Sequence, residues 1–306
     1  MTGATLVTGA AGCIGAWVVA QLARAGEPVI AFDLNDDRRR LMMVLDDDRA
    51  KAVPWIAGDV AALPDRLPDG IGAIIHLAAL QIPTCKADPI GGARVNVVGH
   101  TAVFEAARRA GLARVVYASS VAALPPEQDD QPHTLYGVFK RADEGIARIY
   151  ARDFGVASIG LRPHTVYGPG RDQGLTSAPT KAMVAAVAGN DFTIPFTGRL
   201  MFQFVEEVAD AFVLASRAAI DGAHVHDLKG EATTVEAIVE AIRERCPDAR
   251  VRADGPPLPV PAAFDDRPLR RLIGDWRAVP LEEGIARSLA AFPDLIARGL
   301  VAPNPA

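Results

Sequence analysis

Cysteine is scarce in this chain of 306 residues. It occurs only at positions 13, 85 and 246, and no two of these have the CxxC spacing of a metal or redox site. Since three dispersed cysteines cannot form a complete disulfide framework, we expect free thiols and a cytoplasmic location. The six histidines form no HExxH motif, and HVH at 224–226 has a strand-like setting. No metal site is therefore expected.

Long apolar runs and concentrated positive charge are also absent. No stretch reaches the roughly 18 consecutive apolar residues of a membrane span, and the first apolar run breaks into glycines instead of continuing as a signal segment. The formal net charge is −5, which argues against a nucleic-acid partner. The densest basic stretch, with arginines at 38–40, is flanked by acidic residues and is predicted to be a solvated helix face.

Hydrophobic residues make up 50% of the chain, which is enough for a large core. In the first half, short apolar runs alternate with helical patterns at 91–110 and 134–154. Such alternation predicts a doubly wound α/β (Rossmann) fold, with a parallel sheet and helices on both faces. The predicted strands are 5–9, 28–33, 53–59, 73–79, 114–120 and 157–163.

Three glycines, Gly9, Gly12 and Gly15, lie three residues apart between the first predicted strand and the first predicted helix. Glycines allow a close approach to a pyrophosphate, and the helix N-terminus offers free N–H groups. Asp33 ends the next predicted strand, near the spacing expected for a ribose-binding carboxylate. Because a carboxylate there repels a 2′-phosphate, we expect NAD rather than NADP. The arginines at 38–40 start five residues later, too far along to be obvious ligands of that phosphate.

The texture of the sequence changes near residue 164, where loops rich in Gly, Pro and Thr begin. We expect an NAD-binding Rossmann domain over 1–163, to which a later segment at about 204–230 returns. Residues 164–306 are expected to form mainly a smaller substrate-binding region at the C-terminal edge of the sheet. The helices predicted there are 178–189, 206–219, 233–245 and 281–298.

Tyr136 and Lys140 lie four residues apart at the start of a helical pattern, so their side chains share one face. An ammonium group beside a phenol lowers the phenol pKa and makes it a base for an alcohol proton. Ser119 and Ser120 end a predicted strand. A hydroxyl there can hold the substrate oxygen against Tyr136, and we expect one of the two serines to have only a capping role.

Together these features resemble the extended short-chain dehydrogenase/reductase superfamily, in its NAD-dependent epimerase/dehydratase branch. The matching motifs, in family order, are TGAAGCIG (8–15), Asp33, GDV (58–60), HLAA (76–79), Asn96, ASS (118–120), YGVFK (136–140) and LRPHTVYGPG (161–170).

The resemblance implies a role for each matching residue. Ser120 would orient the substrate hydroxyl, Tyr136 would act as acid and base, and Lys140 would bind the nicotinamide ribose and tune Tyr136. Asp59 and Val60 would flank the adenine, whereas Asn96 would belong to a helix and water network. The implied cofactor-binding set is Gly9, Gly12, Cys13, Ile14, Gly15, Asp33, Asp59, Val60, Leu77, Ala78, Ala79, Asn96, Tyr136, Lys140 and Pro163.

Departures from the family pattern narrow the function. VAAL (121–124) stands where dehydratases carry an acidic pair, so dehydration is not expected. Thr165 replaces the asparagine that epimerases direct at the nucleotide diphosphate, and Arg199 is one position away from their arginine clamp. The segment HTVYGPGRDQGLTSAPTK (164–181) then becomes the predicted substrate loop. The expected substrate-binding residues are Gln81, Ser120, His164, Thr165, Arg171, Gln173 and Thr176.

Three functions remain open. The first is an NAD-dependent dehydrogenase or reductase acting on a small sugar, sugar acid or hydroxy acid. The second is a nucleotide-sugar 4-epimerase that retains its NAD, and the third is an NAD-binding regulatory protein without turnover. The intact Ser120, Tyr136 and Lys140 set argues against the third, and the altered diphosphate elements favour the first. The resemblance also implies a homodimer through the helices at 91–110 and 134–154.

Overall fold

The protein is described by a computed structural model that covers residues 3–126, 129–258 and 264–304. Its strands are β1 (Ala4–Thr8), β2 (Val29–Asp33), β3 (Trp55–Ala57), β4 (Ile71–His76), β5 (Arg114–Ala118), β6 (Ala157–Arg162), β7 (Thr165–Tyr167), β8 (Phe192–Ile194), β9 (Arg199–Phe204), β10 (Ala223–Asp227), β11 (Glu231–Thr234) and β12 (Val251–Ala253).

The longer helices lie where the helical patterns of the sequence predicted them, and short helices lie between them. They are α1 (Cys13–Arg24), α2 (Arg39–Met42), α3 (Asp47–Ala52), α4 (Ile82–Ala87), α5 (Pro89–Ala93), α6 (Gly99–Arg109), α7 (Leu135–Phe154), α8 (Ala178–Ala188), α9 (Val205–Arg217), α10 (Val235–Arg245), α11 (Arg267–Ile273) and α12 (Leu281–Ala297). A π-helical segment, Arg94–Val98, joins α5 to α6, and short 3₁₀ turns lie at Val60–Asp65, Val121–Ala123 and Leu175–Ser177.

The central sheet has seven parallel strands in the order β10-β6-β5-β4-β1-β2-β3. The chain runs from β1 outward to β3 and then crosses back to β4, so β1 lies between β2 and β4. In parallel sheets of this kind, a crevice opens where the strand order reverses, beyond the carboxyl ends of the strands. The predicted doubly wound α/β fold is confirmed.

Neighbouring residues of each strand point to opposite sides of the sheet. Leu6, Ile74 and Val115 belong to one buried cluster, whereas Val7, Ile75 and Val116 belong to the other. This alternation follows from the two-residue period of a strand. Because both faces are covered, these strands are apolar throughout, which is the pattern that the sequence displays.

The seventh strand comes from late in the chain. β10 pairs with β6 from Ala223 opposite Ser158 to Asp227 opposite Arg162, and α9 packs on α1, β4 and β5. The HVH stretch therefore lies in a strand, as its pattern indicated. The division into domains at residue 163 stays a prediction.

Two small sheets stand apart from the central one. β9 pairs in parallel with β7 and antiparallel with β11, and β8 pairs with β12. The sequence had predicted only irregular pieces between the helices in this part of the chain, because most of these strands are three or four residues long. No helix within the described ranges is long and apolar enough to cross a membrane.

Candidate active site and cofactor site

The glycine loop leaves β1 and enters α1 with almost no free space. Gly9 has φ +72°, and a Cβ added to it would lie 2.5 Å from the amide nitrogen of Ala78. A Cβ on Gly15 would lie 2.0 Å from the carbonyl oxygen of Gly9. Gly12 caps α1 and offers no side-chain acceptor. The first N–H groups of α1, those of Cys13 and Ile14 among them, therefore suit a pyrophosphate.

Asp33 ends β2 directly beside this loop. Its Oδ2 accepts a hydrogen bond of 2.9 Å from the amide of Ala11, and its Oδ1 accepts one of 2.7 Å from the amide of Leu34. Burial raises the pKa of this carboxyl, and the two amides oppose that rise. The carboxylate lies where a ribose-binding residue is expected and also braces the glycine loop.

The predicted adenine and mid-cofactor residues lie along the same edge. The carboxylate of Asp59 accepts from the amide of Ala61 and pairs with Arg94, both at 2.9 Å, while the side chain of Val60 is buried against Gly99. The segment Leu77–Ala79 leaves β4 opposite Gly9, with the amide of Leu77 donating to Thr8 at 3.0 Å.

Asn96 has a structural set of partners. Its Oδ1 accepts from the amide of Leu80 at 2.7 Å, and its Nδ2 donates to the carbonyl of Leu80 at 2.9 Å. The residue is buried in the π-helical segment. These contacts fit the predicted role in a helix network rather than in the chemistry.

Helix α7 presents the predicted catalytic pair. Thr134 caps it by accepting from the amide of Gly137 at 3.0 Å. A Cβ on Gly137 would lie 2.2 Å from the carbonyl oxygen of Ala122, so the helix start packs tightly on the turn that follows Ser120. The glycine after Tyr136 therefore permits the close approach of α7 to the turn that begins at Ser120.

Lys140 is 2% exposed and lies below Tyr136, with its Nζ 5.9 Å from the Tyr136 ring centroid. The ammonium donates to the carbonyl of Ala118 at 2.8 Å and to Oδ2 of Asp143 at 3.2 Å. Burial alone would lower the pKa of Lys140, but Asp143 and Tyr136 outweigh it and the pKa is raised. The Lys140 ammonium therefore lies within cation–π distance of the Tyr136 ring.

Asp143 is a buried counter-ion that belongs to none of the sequence motifs. Its Oδ1 has no hydrogen-bond partner among the described residues. Burial raises its pKa to about 6, although Lys140 acts in the opposite direction. Its position three residues after Lys140, on the same helix face, is the sequence signal that could have found it.

The two serines after β5 have different surroundings. Ser119 is buried and donates to Oε1 of Glu144 at 2.5 Å. Ser120 is partly exposed, and its Oγ accepts a bond of 3.2 Å from the amide of Ala122. Both side chains therefore have local roles, but the O–H of Ser120 remains available to a substrate oxygen.

Glu144 also holds Arg162, the arginine of the LRPHT motif. Nε and Nη2 of Arg162 each donate to a different oxygen of Glu144 at 2.7 Å, and Nη1 lies 3.6 Å from Asp227. This group joins α7, β6 and β10 below the cleft. Pro163, next along the chain, is buried and its carbonyl accepts from the amide of Val121 at 3.2 Å.

Four of the predicted substrate residues come together. Arg171 Nη2 donates to Oγ1 of Thr176 at 2.9 Å. With its side-chain amide in the orientation that satisfies both neighbours, Gln81 accepts from Nη1 of Arg171 at 2.9 Å and donates to the carbonyl of Gln173 at 3.3 Å. The segment after β4 and the loop after β7 thus meet through a cation, an amide and a hydroxyl.

His164 and Thr165 lie in a separate, buried position. The amide of His164 donates to Oε1 of Gln203 at 2.7 Å, and its ring packs edge-on against Phe264 at 4.3 Å. Burial, with a smaller contribution from Arg162, lowers the pKa of His164 to about 4. Thr165 pairs with Phe202 in the small sheet.

The solvated face predicted around residues 38–40 is wrong. Arg40 is buried, and with Arg39 it pairs with Asp172 of the substrate loop at 2.6 and 3.0 Å. Arg38 lies over the ring of Trp55 at 5.1 Å. The prediction failed because a charge count along the chain does not reveal a distant carboxylate.

Two histidines are buried behind the cofactor edge. Nδ1 of His76, at the end of β4, lies 2.7 Å from Oγ1 of Thr8, and the His100 ring lies 5.3 Å from that of His76. Burial, assisted by Lys140, lowers the pKa of His76 to about 3. Burial also lowers the pKa of His100 well below its usual value. Both rings are therefore neutral at physiological pH.

The cofactor edge, the Ser-Tyr-Lys group and the sheet order agree with one protein family. The model of the NAD-dependent epimerase/dehydratase family matches residues 5–229. The chain belongs to this family. The family is NAD-dependent, so the expected family, enzyme class and cofactor are all confirmed.

Individual family members resemble the chain over most of its length. UDP-glucose 4-epimerase of Mycolicibacterium smegmatis is 30% identical over 94% of this chain and 98% of its own. D-erythronate dehydrogenase of Cupriavidus necator is 30% identical over 78% of this chain and 80% of its own. MoeE5 in complex with UDP-glucuronic acid and NAD is 28% identical, with a TM-score of 0.81 over 95% of this chain and 99% of its own.

Proposed function

We propose that this family member is an NAD-dependent dehydrogenase that oxidises a secondary alcohol of a small sugar acid to a ketone. The observation that carries the proposal is Arg171, held between Gln81 and Thr176 in the predicted substrate loop. A guanidinium matches a carboxylate in geometry and charge. The resemblance to D-erythronate dehydrogenase supports a sugar acid as the substrate.

The chain's own residues divide the work of oxidation. The Ser120 hydroxyl donates to the substrate oxygen, and the phenol oxygen of Tyr136 accepts the proton of the substrate hydroxyl. The Lys140 ammonium, 5.9 Å from the Tyr136 ring centroid, acts on Tyr136 through its positive charge and binds the nicotinamide ribose. Bound NAD would supply the hydride acceptor, so that the carbon carrying the substrate hydroxyl becomes the ketone carbon. The glycine loop and Asp33 would hold its pyrophosphate and adenosine ribose.

A panel of sugar acids, neutral sugars and UDP-hexoses, each with NAD, tests this function through the absorbance of NADH. We expect turnover with a four- to six-carbon sugar acid and less with the corresponding neutral polyol. Arg171→Gln should raise KM for the acid by about tenfold or more, since a hydrogen bond to a charged group contributes roughly 1.5–3 kcal/mol. The Kd for NAD should not change.

Arg199→Gln is the matched control, because Arg199 is an exposed arginine at the start of β9 near the family's diphosphate clamp. It should leave KM for a sugar acid unchanged. If Arg199→Gln weakens substrate binding and Arg171→Gln does not, the sugar-acid proposal is wrong.

A nucleotide-sugar 4-epimerase is the second candidate. The near full-length resemblance to a UDP-glucose 4-epimerase favours it, whereas Thr165 and the displaced Arg199 do not fit the pattern of that enzyme class. In this case, NAD would co-purify with the protein, and UDP-hexoses would interconvert without net NADH. If the protein binds NAD but no sugar acid, neutral sugar or UDP-hexose of the panel reacts, a regulatory role gains support.

We also propose that the protein is a homodimer through the helices near 91–110 and 134–154. Val98, Val138 and Ile149 are 54%, 45% and 43% exposed on these helices, and exposed apolar side chains that form a patch mark an interaction surface. Light scattering should give the mass of two chains, and Val138→Glu should give one. A monomeric wild type would exclude this interface.

A cytoplasmic location is the remaining proposal. The three cysteines are free thiols, which suits a reducing compartment. Cell fractionation with a tagged chain would test this, and recovery in the secreted fraction would contradict it.

A further inference from the structure

We propose that Arg40 is a positioning residue that fixes the substrate loop on the glycine loop, so that NAD binding and substrate binding strengthen each other. The effect of NAD on the substrate loop depends only on the NAD site and can be tested without a substrate. The effect of Arg40 on KM rests on the proposed substrate role of Arg171.

The guanidinium of Arg40 joins two segments that are far apart in sequence. Nη1 donates to the carbonyl of Ala11 in the glycine loop at 2.7 Å. Nε donates to the carbonyl of Gly170 at 3.1 Å, and Nη2 donates to Oδ1 of Asp172 at 2.6 Å. The side chain is 10% exposed. A planar guanidinium carries its donors on three nitrogens at fixed positions, so it can reach all three acceptors at once. A lysine ammonium carries its donors on a single nitrogen and cannot reach the same three positions.

Asp172 is held by a second arginine. Arg39 Nη2 donates to Oδ2 of Asp172 at 3.0 Å, and Nη1 of the same side chain donates to the carbonyl of Leu300 at 3.0 Å. Both carboxylate oxygens of Asp172 are therefore engaged. Its pKa is lowered because the two arginines outweigh the effect of burial.

These contacts fix the residues on both sides of Arg171. Gly170 has φ +92°, and a Cβ added there would lie 3.8 Å from Sγ of Cys13. Nε1 of Trp17, in α1, donates to the carbonyl of Pro169 at 2.9 Å. The substrate loop thus packs directly on the glycine loop and the first helix, and the backbone of Arg171 has little freedom.

The backbone of Ala11 connects Arg40 to the predicted cofactor site. The amide of Ala11 donates to Asp33, the predicted ribose ligand, and the carbonyl of Ala11 accepts from Arg40. A cofactor that orders the glycine loop therefore also holds the acceptor of Arg40. Two ligands that each order the same contacts bind cooperatively, because the second has less conformational entropy to remove.

Hydrogen exchange with and without NAD tests the coupling in the full-length protein, and it needs no substrate. In the wild type, NAD should slow exchange in the glycine loop and also, by about tenfold, in residues 168–177. In Asp172→Asn, NAD should still protect the glycine loop but should protect 168–177 much less. Asp36→Asn is the matched control, since Asp36 pairs with Arg38 on the exposed side of the same segment, and it should behave like the wild type.

Arg40→Lys is a second variant, which keeps the positive charge but loses the planar guanidinium and its fixed donors. It should reduce the NAD-dependent protection of 168–177 in the same direction as Asp172→Asn. With an active substrate, both variants should raise KM by about tenfold and change kcat little. The proposal is overturned if NAD does not affect 168–177 in the wild type, or if both variants retain the full protection. The failure of every substrate would refute only the proposed function.

Discussion

The glycine loop (8–15) and residues 169–177 of the substrate loop lie against each other but are held in different ways. The first is shaped by backbone geometry, where Gly9 and Gly15 leave no room for a side chain. The second is held by side chains from elsewhere, such as Arg40, Gln81 and Trp17. A backbone-determined site leaves a pattern in adjacent residues, whereas a site built from distant side chains does not. The cofactor is therefore easier to infer than the substrate.

The largest expected effect belongs to neither loop. Tyr136→Phe removes the proton acceptor and should lower kcat by about a thousandfold, within the range of general acid–base catalysis. NAD affinity should be retained, because the glycine loop and Asp33 are unchanged. Tyr150→Phe, on the same helix and packed against Phe104, should keep its activity. Equal losses in both variants would show that Tyr136 has no special role.

A contrast between the two loops comes next. Gly15→Ala places a methyl group 2.0 Å from the carbonyl of Gly9, so NAD titration should show a loss of affinity of about a hundredfold or more. Thr176→Val removes one hydrogen bond to Arg171 and should cost about 1 kcal/mol in substrate binding, with NAD binding unchanged.

Gly145→Ala is the control for the glycine change, since an added Cβ there meets no atom within 4 Å. It should leave NAD binding intact and raise helix stability slightly. If Gly15→Ala binds NAD as well as Gly145→Ala does, the backbone account of the glycine loop fails.

The last prediction concerns acid stability. The pKa of His76 is lowered to about 3 and that of His164 to about 4, chiefly by burial, and His100 is shifted in the same direction. Each histidine stays neutral in the folded state but binds a proton on unfolding below about pH 6.5. Stability is therefore complete above that pH and falls as the pH drops. Each histidine contributes about 1.4 kcal/mol per pH unit.

Urea unfolding between pH 7 and pH 5 would measure this slope. His164→Gln, on the substrate side, and His100→Gln, on the cofactor side, should each reduce it by one proton. Gln131→Ala, at an exposed position without a titratable side chain, should not alter it. A slope that is the same in all three variants would mean that other groups control acid unfolding.

The fold could be predicted from the sequence because its signals are local. Except for β10, each central strand is a short, mainly apolar run, and α7 begins with its Thr134 cap and ends at Gly155 in the left-handed region. The small sheets were missed because strands of three or four residues have too few positions to show a period. Their pairing depends on contacts between distant segments, such as Thr165 with Phe202.

The candidate site was predictable only in part. Gly9, Asp33, Tyr136 and Lys140 stand in motifs, and the structure places them along one edge of the sheet. The contacts of Arg40 with Asp172 span more than a hundred residues, so no spacing rule reveals them. The burial of Asp143 could not be predicted, because an acidic residue on a helix usually faces solvent. Only the packing of α7 shows that this one is buried.

The late return of β10 has a consequence for synthesis on the ribosome. β6 ends at Arg162, and its outer neighbour begins at Ala223. Until that later segment has emerged, β6 is an edge strand with unpaired backbone groups and apolar side chains, which can pair with another copy of the chain. We therefore expect the nascent chain to be most prone to aggregation before β10 emerges and covers that edge.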